Sequence, residues 1–214
     1  MLWYLPEAAE SITLLRISEL IEWNSMISGD CVTIFTPGEL NKHFVDNLII
    51  RWRWHDDGGF DNSLKTVISN PDINEAFLTC LDIADDLFDT YPCGIRMYEE
   101  DRDFLARHNL SIGGSSLGLA LLFGLFCHVR SHRPRRIAAW GAILPVRNNR
   151  VAVLPTDAVE KKMQAALEIG AEHVIHPALE PEKPASGIRE TRITQHITEA
   201  VKQLDCDALY QREN

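Results

Sequence analysis

Two short segments hold the residues of this sequence that are best suited to nucleophilic chemistry. The first, GGSSLGLALLFGLF from Gly113 to Phe126, places two serines directly before an apolar run that could form a helix. A serine hydroxyl becomes a nucleophile when a base takes its proton. A serine at a helix start also lies beside unpaired backbone N–H groups, which can stabilise an oxyanion. The same residues would also serve as a plain N-cap with a flexible entrance, so the choice depends on a base.

The second segment offers a lysine as that base. Apolar residues recur at helical spacing from Asp157 to Ile169, and Lys162 shares their face with Val159 and Ala166, whereas Lys161 lies on a polar face. A lysine directed towards a core is unusual. Held neutral by burial, it could accept a serine proton. Alternatively, its stem packs against the core while the ammonium group reaches water.

The pattern of strand and helix signals predicts one domain of the α+β (mixed α/β) class over residues 1–214. The N-terminal half is β-rich, and helices and strands alternate after it. Strands are predicted at 31–36, 47–54, 64–69, 94–98, 136–144, 151–154 and 173–176. Helices are predicted at 73–88, from Ser115 or Ser116 to Phe126, at 157–169 and at 194–204, with a Pro- and Glu-rich loop at 178–187.

Composition narrows the function classes. The net charge is −10, which disfavours binding to nucleic acid or to an anionic membrane. The basic stretch RSHRPRR at 130–136 is expected to be a solvated loop. The N-terminal MLWYLPEAAE does not have the pattern of a signal peptide, and the longest apolar run is too short to span a bilayer. Five scattered cysteines without a CxxC pair are typical of reduced thiols, so we expect a cytoplasmic protein without a metal or a cofactor.

Four further patterns are assigned mainly to ordinary structure. His128 and His132 have the spacing of two metal ligands on a helix, but no zincin-type Glu follows them and Pro134 interrupts the helix. The acids between Asp82 and Asp89 are expected to form a solvated face, and Asp157 to cap the lysine helix. The alternating RWRWH segment at 51–55 would offer a site for an extended peptide if it lay at a sheet edge.

Taken together, the two chemical segments resemble the proteolytic domain of the Lon family of serine proteases. Residues 114–118 (GSSLG) match the family's Gly-Pro-Ser-Ala-Gly stretch, with Ser116 at the position of the nucleophile. Lys162 directly precedes residues 163–166 (MQAA), which match the motif aliphatic-x-Ala-Ala after the family's lysine. A glycine and the HVIHP segment at 173–177 follow as in the family. The resemblance is strongest from about residue 64 to residue 205.

The resemblance implies a serine endopeptidase with a Ser116–Lys162 dyad and no cofactor. It also implies an oxyanion hole and pocket formed by Gly114, Ser115, Leu117, Trp140 and Gly141. Lon proteins carry an ATPase module, but no GxxxxGK[ST] loop occurs in these 214 residues. We therefore expect ATP-independent cleavage of flexible peptides or proteins, or dependence on a separate unfoldase or activating protein. Lon-type domains commonly form rings, which implies a homo-oligomer.

Departures from the family pattern keep two other functions open. They lie around the dyad, at Gly113 (Asp in the family), Ser115 (Pro), Leu117 (Ala), Trp140-Gly141-Ala142 (Thr-Gly-Glu) and Asp157-Ala158 (two glycines). An altered pocket favours a non-catalytic Lon-like assembly or binding module. The GGSS segment is also similar to the Gly-Ser-Ser phosphate loop of small-molecule kinases of the galactokinase–homoserine kinase type.

Overall fold

A mixed seven-stranded β-sheet forms the centre of the fold. The computed structural model describes residues 21–40, 47–61, 64, 71–146, 150–156, 158–177, 188–193, 196–204, 206 and 209–211. The strands are β1 (Asp30–Phe35), β2 (Leu48–His55), β3 (Gly59–Phe60), β4 (Gly94–Met97), β5 (Arg133–Pro134), β6 (Ile137–Ala139), β7 (Ala142–Val146), β8 (Arg150–Leu154), β9 (His173–Pro177), β10 (Arg189–Ile193) and β11 (Tyr210–Gln211). The main sheet has the order β10-β9-β6-β1-β2-β4-β3, and β7-β8 and β5-β11 form two smaller ribbons.

Five helices accompany these strands in the described part of the chain. They are α1 (Pro71–Leu87), α2 (Glu99–Arg107), α3 (Gly118–Val129), α4 (Val159–Glu168) and α5 (Ile197–Leu204). The α+β class expected from the sequence is confirmed. None of the described helices is both long and apolar enough to cross a membrane.

Helix α3 is the central packing element. Every residue from Gly118 to Cys127 is buried, because this helix lies between α1 and the strands β1, β2 and β7. The indole Nε1 of Trp54 on β2 donates a hydrogen bond to the carbonyl oxygen of Leu121 at 2.8 Å, and the ring of Trp54 stacks on Phe77 of α1. The apolar run found in the sequence is therefore the core helix, and its first turn is fixed beside the candidate nucleophile.

Strand β2 lies inside the sheet, between β1 and β4. The RWRWH segment therefore does not meet the condition for binding an extended peptide at a sheet edge, because both sides of the strand are hydrogen-bonded to neighbours. The expected alternation of buried and partly exposed side chains is present in β2, where Trp52 and Trp54 are buried. The intervening arginines lie on the other face, where Arg51 pairs with Asp101 and Arg53 pairs with the buried Asp30.

Several predicted boundaries differ from the structure. The strand expected at 136–144 is divided at Trp140 and Gly141, so β6 joins the main sheet and β7 pairs with β8. The basic stretch expected as a loop contains β5, which pairs with β11. The polar helix α2 and strand β10 were not predicted. The strand expected at 64–69 and the loop at 178–187 lie outside the described residues, apart from Leu64.

Candidate active site

The two side chains singled out by the sequence are in direct contact. Lys162 Nζ lies 2.6 Å from Ser116 Oγ. Both residues are 0% exposed. The orientation of the lysine helix is confirmed, because Lys162 is buried while its neighbour Lys161 is exposed to water. The fold thus brings a primary hydroxyl and an amine within hydrogen-bonding distance, as a serine–lysine dyad requires.

Ser116 is held by the junction between β6 and β7. Its carbonyl oxygen accepts a hydrogen bond from Gly141 N at 2.8 Å, and Gly141 O accepts one from Leu119 N at 2.9 Å. These contacts explain why α3 begins at Gly118 and not at the expected serine, since the Ser116 carbonyl is used outside the helix. A Cβ on Gly118 would lie 2.7 Å from Ile143 N, so only glycine allows this close approach. The serine is therefore fixed by its backbone.

Lys162 lies in the first turn of α4. Its backbone N–H donates to Ala158 O at 3.1 Å, and its Nζ lies 3.4 Å from Thr156 Oγ1, a hydroxyl that the sequence analysis did not identify. The amide of Asn47 donates to Lys161 O at 3.1 Å and ties this turn to the start of β2. The lysine is thus directed into the core by a helix that is itself anchored to the sheet.

A third side chain, missed in the sequence analysis, completes the cluster. Glu39 ends a 3₁₀ turn at Pro37–Glu39, and its Oε2 lies 2.8 Å from Lys162 Nζ. Its Oε1 accepts a hydrogen bond from Ser116 Oγ. The Glu39 side chain is only 13% exposed. The TPGE sequence at 36–39 matches the capping-box pattern, which could have predicted the turn but not a contact with residues so distant in sequence.

The turn at 37–39 is bound to the serine segment through backbone and side chain. Thr36 N and Thr36 Oγ1 lie 2.7 and 3.1 Å from Glu39 Oε2. Glu39 O accepts hydrogen bonds from Gly113 N at 2.6 Å and Gly114 N at 3.1 Å. A Cβ on Gly114 would lie 2.6 Å from Glu39 Cβ and Cγ. Gly114 is therefore the place where the turn lies directly against the GGSS segment.

The heavy-atom distances around Ser116 Oγ and Lys162 Nζ indicate one assignment of the protons. Ser116 has one hydroxyl hydrogen, and because it donates this hydrogen to Glu39, its oxygen accepts from Lys162. Lys162 Nζ lies within hydrogen-bonding distance of Ser116 Oγ and Glu39 Oε2, at 2.6 and 2.8 Å, and 3.4 Å from Thr156 Oγ1, all of which can accept from an ammonium group. In this conformation the lysine is a charged donor and the glutamate is its counter-ion.

The residues expected to form the oxyanion hole and pocket have different surroundings in the structure. Within the described residues, the N–H groups of Ser115, Ser116 and Leu117 make no hydrogen bond, so they remain free to bind an oxyanion. Gly114 and Ser115 are half-buried beside the dyad, and Leu117 is fully buried.

Trp140 and Gly141 do not have the role expected of pocket residues. Gly141 N is already bonded to Ser116 O, so this residue holds the serine backbone and does not offer an N–H to substrate. Trp140 is fully buried, with its ring stacked on His176 at 5.7 Å between centroids, so it cannot line an open pocket.

Other candidate groups are not part of this cluster. His128 Nε2 contacts Asp56 at 3.1 Å, and His132 packs against the ring of Tyr210. Among the described residues there is no group of three or more potential metal ligands. The acids of α1 at 82, 85 and 86 are exposed, as expected, and so is Asp89 just beyond the helix, whereas Asp157 lies outside the described residues.

The buried cysteines are poor competitors for Ser116 as nucleophile. Burial raises the pKa of the thiols of Cys31, Cys80 and Cys127, which disfavours the reactive thiolate. In the segment that is similar to a kinase phosphate loop, the amides of Gly113 and Gly114 are bonded to Glu39 O, whereas those of Ser115 and Ser116 make no hydrogen bond in the described part of the chain.

Searches of protein-family models and of curated proteins find no match to this chain.

Proposed function

We propose that this chain is a Lon-like serine peptidase that hydrolyses peptide bonds with a Ser116–Lys162 dyad. The observation that carries the proposal is the 2.6 Å contact between Ser116 Oγ and Lys162 Nζ, made by two side chains that are both fully buried. Burying a lysine is costly unless it is paired. Free N–H groups beside the serine and the lysine motif of the Lon resemblance support the same assignment.

The proposed reaction begins when substrate replaces Glu39 at the dyad. Lys162, then neutral, takes the hydroxyl proton while Ser116 Oγ attacks the scissile carbonyl carbon. The N–H groups of residues 115–117 stabilise the oxyanion. On collapse the C–N bond breaks, and Lys162 returns the proton to the leaving amine, which leaves an acyl-serine. Water then attacks the ester, its proton passes through Lys162 to Ser116 Oγ, and the acid product departs.

The proposed substrate class rests on the resemblance and on the buried position of the dyad. We propose that the chain alone cleaves extended peptides or unstructured proteins, and that stable folded proteins become substrates only with a separate unfoldase or activating protein. Self-association into a ring belongs to the same proposal and rests on the resemblance alone.

The decisive experiment measures hydrolysis of a quenched-fluorescent peptide library by the wild type and by matched variants. Ser116→Ala removes the nucleophile, and Lys162→Arg keeps a cation that cannot lose its proton. We expect each to reduce turnover by at least about 100-fold, the lower range for loss of acid–base catalysis. Lys161→Arg is the matched control, because Lys161 is exposed to water beside the buried lysine, and it should retain turnover. Full activity of Lys162→Arg would refute the lysine as base.

A second function is favoured by one specific observation, the closed state of the site. Ser116 is fully buried beneath Glu39, which is also compatible with a structural ion pair in a non-catalytic assembly or binding module. In that case Ser116→Ala would have the same partner binding and oligomeric state as the wild type. Neither protein would cleave a peptide of the library.

A further inference from the structure

We propose that Glu39 is an intramolecular latch, whose carboxylate occupies the substrate's place on the dyad and must leave before the peptidase can act. This inference deepens the proposed function and rests on it. The glutamate comes from the connection between β1 and β2, far in sequence from both members of the dyad, and contacts both of them.

The first argument is steric. A carbonyl carbon must approach the attacking oxygen to about 3–3.5 Å before it can react. Ser116 Oγ has no exposed surface, and Glu39 Oε1 lies directly against it. The Glu39 side chain also lies against Gly114, because a Cβ added to Gly114 would lie 2.6 Å from Glu39 Cβ and Cγ. Glu39 therefore covers the GGSS segment that holds the serine. No peptide can reach the serine while this side chain remains in place.

The second argument concerns protons. The serine hydrogen is directed at Glu39, and Lys162 is an ammonium group balanced by the Glu39 carboxylate at 2.8 Å. A charged lysine has no lone pair with which to accept the serine proton. Moving Glu39 away removes the counter-ion and favours the neutral amine that the reaction requires. The same contact therefore blocks access and holds the base in the inactive protonation state.

The third argument is chemical likeness. One carboxylate oxygen binds the serine and the other binds the lysine, as the acid product of peptide hydrolysis would before its release. Glu39 thus acts as a tethered carboxylate product. Its attachment is local, through Thr36 and through the amides of Gly113 and Gly114, while Gly38 in the middle of the turn has open space around it. The next residue, Leu40, forms a β-bridge with Ile112, so the proposed opening displaces the turn at 37–39 against this fixed point.

The test measures the rate at which a fluorophosphonate labels Ser116, read as an increase in intact mass. In this reaction a bond forms between Oγ and phosphorus, fluoride leaves and the base takes the serine proton. Glu39→Ala removes the latch, and we expect it to increase the labelling rate by about tenfold to a hundredfold, the factor for losing one or two charge-assisted hydrogen bonds. An unchanged labelling rate in this variant would overturn the latch. A lower rate would also overturn it and would place Glu39 among the groups that activate the serine.

A second variant opens the latch without removing its charge. Gly114→Ala places a methyl group where Glu39 Cβ and Cγ now lie, so it should displace the side chain and also increase the labelling rate. Gly38→Ala is the matched control, because a Cβ there meets nothing within 4 Å, and it should label at the wild-type rate. If Gly114→Ala labels no faster than Gly38→Ala, steric closure by Glu39 is refuted.

Hydrogen exchange at the amides of Gly113 and Gly114 separates the latch from the peptidase function. Both amides donate to the backbone carbonyl of residue 39, which every variant keeps, so faster exchange there reports release of the whole turn. We expect it in Glu39→Ala and Gly114→Ala, which remove or displace the side chain that fastens the turn to the dyad. Faster exchange with faster labelling supports both proposals. Faster exchange with no labelling and no peptide turnover keeps Glu39 as the closing contact and refutes the peptidase. Unchanged exchange with lost turnover refutes the latch and retains the peptidase.

Discussion

The ion pair between Lys162 and Glu39 makes a quantitative prediction about stability. Glu39→Gln removes the carboxylate that lies 2.8 Å from an ammonium group that is 0% exposed. Breaking a buried pair in this way destabilises proteins by about 3–5 kcal/mol. The lysine can limit the cost by losing its proton. Deprotonating a lysine of ordinary pKa, about 10.4, costs about 4.6 kcal/mol at pH 7. The destabilisation by Glu39→Gln should therefore not exceed about 4.6 kcal/mol.

Removing the lysine should cost less. Lys162→Met leaves the Glu39 carboxylate 13% exposed and still bonded to Thr36 N and to the Ser116 hydroxyl. We expect a loss of about 1–3 kcal/mol, the penalty for one missing partner. The double variant leaves no unpaired charge and should lie within about 1 kcal/mol of the wild type. The thermodynamic cycle then gives a coupling free energy of several kcal/mol between the two side chains.

Urea unfolding with linear extrapolation measures all four corners of this cycle. The pH dependence supplies a further check. If the lysine of Glu39→Gln is neutral when folded and charged when unfolded, the unfolded state binds one more proton, and stability rises with pH by about 1.4 kcal/mol per unit. A cost below about 1 kcal/mol for Glu39→Gln, or additive single variants, would refute the assignment of a charged, buried pair.

Two further predictions concern Ala158, beside the site, and His173, on the inner strand β9. Ala158 has φ 59 and ψ 43, a left-handed conformation that disfavours a Cβ. Ala158→Gly should therefore raise the free energy of unfolding in urea by up to about 1 kcal/mol. A lower free energy of unfolding would contradict backbone strain at this residue. His173 has its pKa lowered to about 4 by burial and by the charges of Arg189 and Arg135. Because the unfolded imidazole binds its proton nearer pH 6.5, stability should fall between pH 6.5 and 4, and this slope should be smaller in His173→Gln.

The dyad could be predicted from sequence because its determinants are local. Helical periodicity over α4 separates a core-facing Lys162 from a solvated Lys161, and no long-range information is needed for that distinction. Small residues before a long apolar run likewise indicate a serine at the start of a buried helix. The contact between the two residues followed from the resemblance, which provided the expected pairing of the two segments.

The parts that could not be predicted depend on contacts between distant segments. The position of Glu39 is set by the connection that follows β1, and local sequence indicates only a capped turn there. The division between β6 and β7 arises because Gly141 bonds to the Ser116 backbone, although the segment itself has a continuous strand pattern. Helix α2 was missed because its nine residues are largely charged and give only a weak apolar period.

The departures from the Lon pattern and the position of Glu39 have a common physical consequence. At Gly113, where the family has an aspartate, the chain carries no acid, and its N–H instead binds Glu39 O. The carboxylate beside the dyad therefore belongs to a separate turn, held by short-range hydrogen bonds that can be exchanged for contacts with a partner or substrate. An acid fixed on the serine segment itself would move only with the nucleophile. A carboxylate on an independent turn can leave while Ser116 and Lys162 stay in place, so an opened site would keep the 2.6 Å geometry on which the proposed chemistry depends.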